Sequence, residues 1–297
     1  MGVCGPSNLD YVVNIYALGR LGYTSFLISP RLPATIVATL LASTNARILV
    51  HSPSNQQLAL TTSTLADFSL RTLPILQRSE YDRHDSTIYS VDRGVNPLEE
   101  QQRQYIILHS SGSTGLPKPV PYTNANLITI CLPSPSLTAF QSVPFSHAHG
   151  LATYSQAIWS RKTLYLFNAN VPQTNWALTA AINASKPDIV WTVPYVLKLL
   201  AESNEGIDAL KRCAIVSSSG SRCPDELGNM LTEKGVFLGC VFGSYASPCS
   251  NISCHKFNHA NGRADPKTPY SSHLSSVPVK IKHGTIYVRH RMCCPIF

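Results

Sequence analysis

The chain has 297 residues, of which 44% are hydrophobic and 13% charged, enough apolar material for a sizeable core divided over one large or two smaller units. No apolar run reaches membrane-spanning length, and the start, Met1-Gly2-Val3-Cys4-Gly5-Pro6, lacks the basic n-region and long apolar stretch of a secretory leader; Pro6 also spoils a myristoylation signal. The net charge of +8 excludes no soluble class by itself, because +6 of it lies in the last 49 residues. Nine cysteines, an odd number without a close paired framework, read as free thiols of a cytoplasmic protein rather than as disulfides, so the sequons at Asn183 and Asn251 are taken as chance.

Taken in order, the body alternates helix and strand patterns. Val12, Ile15, Tyr16 and Leu18 give an early helical face, Thr24–Ser29 a short apolar strand, Pro33–Ser43 a helix opened by proline, and Arg47–His51 another strand. Arg78–Arg103 is polar and irregular and reads as a connection between two subdomains. Tyr105–His109 is a buried strand that empties into Ser110-Ser111-Gly112-Ser113-Thr114-Gly115-Leu116-Pro117-Lys118-Pro119. Four hydroxyls in five positions, two glycines that let backbone N–H groups face one anion, and the cation of Lys118 together describe a phosphate-handling loop. Thr123 or Asn124 then caps a helix, so that strand, loop and helix N-terminus are expected to converge on phosphate. Pro117 and Pro119 exclude a Walker loop, which needs a glycine before the lysine and a hydroxyl after it.

Beyond the loop, Val143-Pro144-Phe145-Ser146-His147-Ala148-His149-Gly150-Leu151 carries two histidines. A lone histidine is usually structural, but an imidazole also suits hydrogen bonding to a carboxylate near neutral pH. Asp188–Val193 reads as a strand, Pro194–Ser203 as a helix, Ala214–Ser219 as a strand ending in small residues, Pro224–Glu233 as a helix and Val236–Phe242 as the last convincing strand. The expected fold is α/β, an open doubly wound sheet arrangement.

The string SSGSTGLPKP resembles the signature loop of the adenylate-forming, AMP-binding superfamily, which includes acyl-CoA synthetases, luciferases and the adenylation domains of nonribosomal peptide synthetases. Ser29-Pro30-Arg31 and Leu116–Pro119 echo the branch of fungal nonribosomal-peptide-synthetase-like enzymes, some of which reduce acids. The resemblance implies the large N-terminal part of such an enzyme without its small C-terminal lid, with Ser110, Ser111, Gly112, Ser113, Thr114, Gly115 and Lys118 on the β- and γ-phosphates of ATP. Ser219, Gly220 and Ser221 match the family's small-residue stretch against adenine, and Phe242, Gly243 and Ser244 match its Tyr-Gly-Ser-Thr-Glu stretch. His147 aligns with the histidine that lines the carboxylate pocket, and with Lys118 makes the implied catalytic pair. Tyr245 replaces a threonine and Ala246 the glutamate that positions magnesium, so the Mg2+ site is expected to be impaired, an alanine methyl supplying no oxygen ligand.

The implied activity is ATP-dependent activation of a small carboxylic acid to an acyl-adenylate in secondary metabolism, with a carrier protein or coenzyme A in trans as acceptor. The alternatives are a catalytically inactive nucleotide-binding relative and a non-catalytic interaction module. The resemblance is expected to cover residues 8 to 248, with both ends cut. Residues 249–297 form a divergent basic tail, expected to be poorly ordered, as after loss of the original frame. Its cations are scattered, against nucleic acid or membrane as a partner, and Cys249, Cys254, His255 and His259 lack the spacer of a zinc finger.

Overall fold

The computed structural model describes residues 1–82, 94–110, 115–132 and 134–242, together with the backbone of 253–256, 279–282 and 285–288. In chain order the first half runs β1 (Gly2–Cys4), α1 (Leu9–Arg20), β2 (Ser25–Ile28), α2 (Ala34–Ser43), β3 (Ile48–His51), α3 (Gln56–Leu65), β4 (Arg71–Pro74), α4 (Arg78–Tyr81), α5 (Pro97–Gln102), β5 (Gln104–His109), β6 (Pro119–Thr123) and α6 (Asn124–Cys131). The second half runs β7 (Ala139–Gln141), α7 (Ala148–Ser160), β8 (Leu164–Leu166), α8 (Asn175–Ser185), β9 (Ile189–Thr192), α9 (Pro194–Leu200), α10 (Asn204–Lys211), β10 (Ile215–Ser218), α11 (Asp225–Glu233), β11 (Leu238–Phe242) and β12 (Ser253–Lys256), followed by β13 (Val279–Lys282) and β14 (Thr285–Val288).

These strands form two six-stranded sheets, ordered β4-β3-β1-β2-β5-β6 and β12-β11-β10-β9-β7-β8, and a separate β13-β14 hairpin. In each large sheet five strands are parallel and one edge strand, β6 or β12, is antiparallel. This is the expected α/β class, since parallel strands need helical crossovers and read as apolar runs when both faces are covered. Local signals close the helices where the sequence places them. The Asn8 side chain accepts the Tyr11 N–H at 2.9 Å to start α1, and Ser203 likewise caps α10 through Gly206 at 3.0 Å. The helix expected over 194–203 ends at Leu200, and Ser203 opens a second helix, α10, that the sequence reading did not include.

Three sequence expectations need correction. Gly2–Cys4 is a fully buried strand at the heart of the first sheet, paired with both β2 and β3, so the ordered unit begins before residue 8. The polar stretch 78–103 does not join two subdomains, because β5 returns to pair with β2 in the same sheet; the passage between sheets falls between α6 and β7. The third concerns the helix after the phosphate loop. The loop is the tip of the β5-β6 hairpin, with His109 opposite Pro119 and Gln104 opposite Thr123. The N-terminus of α6 thus lies at the far end of β6, roughly 14 Å of strand away, and its dipole is not aimed at the loop.

One helix unites the halves. Helix α7 buries Gly150, Leu151, Thr153, Tyr154, Ser155, Gln156 and Ala157. Tyr154 stacks edge-on against Phe145 at 4.7 Å, and Phe145 lies over Tyr11 of α1 at 6.3 Å. The Phe145 N–H also donates to Ser7 Oγ at 2.9 Å. These contacts place Leu151, Phe145 and Tyr154 in one apolar cluster with Val3, Leu27 and Ile106 of the first sheet. A second cluster, built on Leu178, Leu197, Leu200, Leu210, Val216 and Leu231, packs helices against the second sheet. No helix among the described residues is long and apolar enough to cross a membrane.

Candidate active site

In open parallel sheets ligands bind beyond the carboxyl ends of the strands, and here those ends face one cavity of about 1100 Å³. Its wall takes Gln141 and Ser142 from the end of β7, Phe167 after β8, Trp191 and Val193 at β9, Ser219, Gly220 and Ser221 after β10, and Val241 near the end of β11. The first sheet adds Ser7 after β1 and Arg31 after β2. His147 and His149 stand at the start of α7 on the same wall. Among the described lining residues Arg31 carries the only formal charge, and no carboxylate is present.

The β10 turn is built for close approach. Gly220 has φ +90°, a conformation that an L side chain rarely adopts, and Ser219 N–H is tied to Thr192 O at 3.1 Å. The turn therefore lies against β9 with no side chain at its apex.

His147 is half-buried at the N-cap of α7, where its carbonyl accepts the Leu151 N–H at 2.9 Å. Burial lowers its pKa below the ordinary imidazole value, with His109 and Arg31 acting in the same direction. The ring faces that of His109 at 6.5 Å. His109 ends β5 and opens the loop; its Nε2 accepts the Ser29 N–H at 3.2 Å, so its Nδ1 carries the proton and donates to Ser110 O at 3.2 Å. Burial lowers the His109 pKa as well. His149 is the more isolated ring: both nitrogens are screened from water without a hydrogen-bond partner, its edge meets Trp191 at 5.8 Å, and burial pushes its pKa down to about 4.

The loop itself is fastened at its neck. Ser110 N–H donates to Lys118 O at 2.9 Å, and Lys118 N–H donates to Ser110 Oγ at 2.9 Å. Lys118 and Gly115 are exposed. Ser111, Gly112, Ser113, Thr114, Gly243, Ser244 and Ala246 lie outside the described residues, and Phe242 ends β11. His147, Ser219, Gly220 and Ser221 are thus brought onto one cavity, with the neck of the loop joined to it through His109, while Lys118 and Ser110 are not among its lining residues. Arg31, Ser7 and Trp191 escaped the sequence reading as site residues. Their common position, just past or at a strand end, was the only available signal.

Comparison with known proteins follows the same architecture. The family model for AMP-binding enzyme matches residues 1–256. The chain belongs to the AMP-binding enzyme family. The match starts at Met1 rather than Asn8 and runs past residue 248 to include β12. The chain is 27% identical over 258 residues to a non-ribosomal peptide synthetase of Acremonium egyptiacum and 26% identical over 255 residues to an adenylate-forming reductase of Aspergillus terreus, in each case over 80% of this chain. It spans only 23% and 24% of those proteins' lengths. In structure it resembles the N-terminal subdomain of Klebsiella oxytoca NpsA, with a TM-score of 0.71 and 15% identity over 86% of this chain and 63% of that one. A long-chain-fatty-acid-CoA ligase of Archaeoglobus fulgidus aligns with a TM-score of 0.66 and 20% identity over 83% of this chain and 52% of that one. These likenesses establish the fold of the N-terminal part of an AMP-binding enzyme.

Proposed function

We propose that residues 1–248 bind ATP and activate a small carboxylic acid as an acyl-adenylate, slowly, and that the tail 249–297 takes no part. The observation that carries this reading is the cavity shared by the strand ends of both sheets, walled by His147 and the Ser219–Ser221 turn and charged, among its described lining residues, only by Arg31. A pocket whose described lining residues carry a cation and no carboxylate favours an anionic occupant. The narrow, glycine-apexed turn suits the flat face of adenine against backbone, a role that the family pattern shares with Phe242, Gly243 and Ser244.

The hydroxyls of Ser110, Ser111, Ser113 and Thr114, the backbone N–H groups of Gly112 and Gly115, and the Lys118 ammonium would hold the β- and γ-phosphates. His147, kept neutral by burial, would donate a hydrogen bond to one carboxylate oxygen and orient the other. That second oxygen attacks the α-phosphorus, the bond to the bridging oxygen breaks, and pyrophosphate leaves. The acceptor of the acyl group would be a carrier protein or coenzyme A in trans, in a cytoplasmic pathway of secondary metabolism.

Magnesium fits this chain poorly. Among the described residues no group of three or more His, Cys, Asp or Glu is gathered to hold a metal, and Ala246 stands where the family pattern has glutamate. Mg2+ would enter on the triphosphate, with less help from protein oxygens than the chemistry prefers. Ala246 also favours a second reading, nucleotide binding without turnover.

Calorimetry with ATP and Mg2+, followed by pyrophosphate exchange over a panel of carboxylic acids, separates these readings. Micromolar-scale binding with slow exchange supports adenylation; binding with no exchange for any acid supports the inactive relative; no binding supports an interaction module. Lys118→Ala removes one charge-assisted contact worth about 1.5–3 kcal/mol, so affinity for ATP should fall at least about tenfold. Equal affinity in the variant removes the loop from the phosphate site.

A further inference from the structure

Two cysteines that the adenylation chemistry does not use meet directly behind the nucleotide turn. Cys223 is buried in the apolar cluster of the second sheet, and the half-buried Cys240 of β11 packs against that same cluster. Cys240 lies opposite Ser218 in the β10-β11 register, and Cys223 follows Ser218 by way of the Ser219–Ser221 turn. The two thiols are in side-chain hydrogen-bonding contact, and neither is in a disulfide. That contact holds the Cys223 pKa below the ordinary thiol value despite burial. Three other described cysteines behave oppositely: burial pushes Cys4 up to about 12, Cys213 up to about 11, and Cys131 upward. Cys223 is therefore the described cysteine whose thiolate is favoured, and it stands against a second thiol.

We propose that Cys223 and Cys240 form an oxidisable dithiol site that takes a small disulfide such as oxidised glutathione and closes into an intramolecular disulfide. Cys240, the more accessible of the two, gives up its proton to solvent and attacks the reagent, forming a mixed disulfide and expelling one thiolate. Cys223 then attacks the Cys240 sulfur, the mixed bond breaks, and the second reagent thiolate leaves. Two protein thiols lose two protons and two electrons, and the electrons reduce one disulfide to two thiols. The new bond is about 2.05 Å long, well inside any non-bonded sulfur contact, so closure draws the end of the 219–223 turn toward β11. The turn is then displaced from the position in which its glycine apex faces the cavity. This second consequence rests on the reading of the turn as the nucleotide wall; the dithiol chemistry does not.

The test uses the full chain, reduced and then treated with oxidised glutathione, with peptide mapping under non-reducing conditions. The expected product is a linked Cys223–Cys240 peptide pair that dithiothreitol reverses, while Cys4, Cys131 and Cys213 stay available to iodoacetamide after denaturation. Cys240→Ala and, separately, Cys223→Ala should each leave the other cysteine unlinked or as a glutathione adduct. Failure to link the pair, or linkage of any other described pair instead, overturns the site. In the oxidised chain ATP affinity should fall at least about fivefold and return on reduction, whereas Cys240→Ala with Cys223 mapped as unmodified should keep its affinity in oxidised glutathione. An unchanged affinity in a chain shown to be linked overturns the effect on the turn. Absence of ATP binding in both redox states would instead count against the proposed function, and the linked peptide would still stand.

Discussion

Gly220 and Gly235 have nearly the same backbone, φ +90° and +91°, but only Gly220 lines the cavity. A Cβ at Gly220 would meet Val193 Cγ1 at 3.4 Å and at Gly235 Lys211 Cε at 3.7 Å, so in both places the cost of alanine is conformational, about 1–3 kcal/mol. Both Gly220→Ala and Gly235→Ala should lower the melting temperature by several degrees. Gly220→Ala alone should also weaken ATP binding, which calorimetry on the two variants reads directly. His149 provides the second test at this scale. Its folded pKa of about 4 lies below the ordinary 6.5, so between those values the unfolded chain takes up a proton that the folded chain refuses. The contribution is intact above pH 6.5 and is lost as pH falls toward 4, about 2 kcal/mol by pH 5, with His109 and His147 shifted in the same direction. Urea midpoints at pH 7 and pH 5 should therefore differ, and His149→Phe should narrow the difference. The 219–221 turn was legible in the sequence because it follows an apolar strand, and His147 because its segment resembles the family's histidine-bearing one. Arg31 and Trp191 were not, because only the meeting of the two sheets brings them to the same wall.

At the scale of elements, the hairpin β5-β6 decides what the helix after it can do. Thr123 Oγ1 accepts the Asn126 N–H at 3.2 Å, and Asn126 Oδ1 accepts the Thr123 N–H at 2.9 Å, a reciprocal cap at the end of β6 remote from the loop. Thr123→Ala should cost about 1 kcal/mol in denaturant unfolding and leave ATP affinity unchanged. A parallel loss of affinity would return the helix N-terminus to the phosphate site. Strand β6 was missed in the sequence because Pro119 and Pro121 argue against a strand interior; its place at the edge of the sheet removes the objection, since an edge strand tolerates a proline whose missing donor faces outward. Strand β1 was missed for another reason. Three residues carry no periodicity, and only pairing on both sides makes Gly2–Cys4 a strand. The longer apolar segments, from Ile48–His51 to Ile189–Thr192, fell within a residue or two of their expected bounds because burial on both faces leaves an unbroken hydrophobic run.

For the molecule as a whole, the question is how much of the basic C-terminal stretch the AMP-binding part needs. The break in composition was expected at residue 249, yet the family match reaches 256 and β12 pairs antiparallel with β11 through four residues, Gly239 opposite Lys256 to Phe242 opposite Ser253. Removing 257–297 should leave both the thermal unfolding transition and ATP affinity as they are. Removing 249–297 tests the boundary proposed from composition, and ATP binding should survive that cut as well, measured on freshly prepared dilute protein. The two truncations should nevertheless differ on storage. An uncovered parallel strand presents a row of unsatisfied N–H and C=O groups that another copy can extend, and β11, rich in apolar residues, is such a template once β12 is gone. Four residues of polar sequence, Ser253 to Lys256, thereby act as a guard against self-association: light scattering of concentrated samples should rise with time for the chain ending at 248 and stay flat for the chain ending at 256.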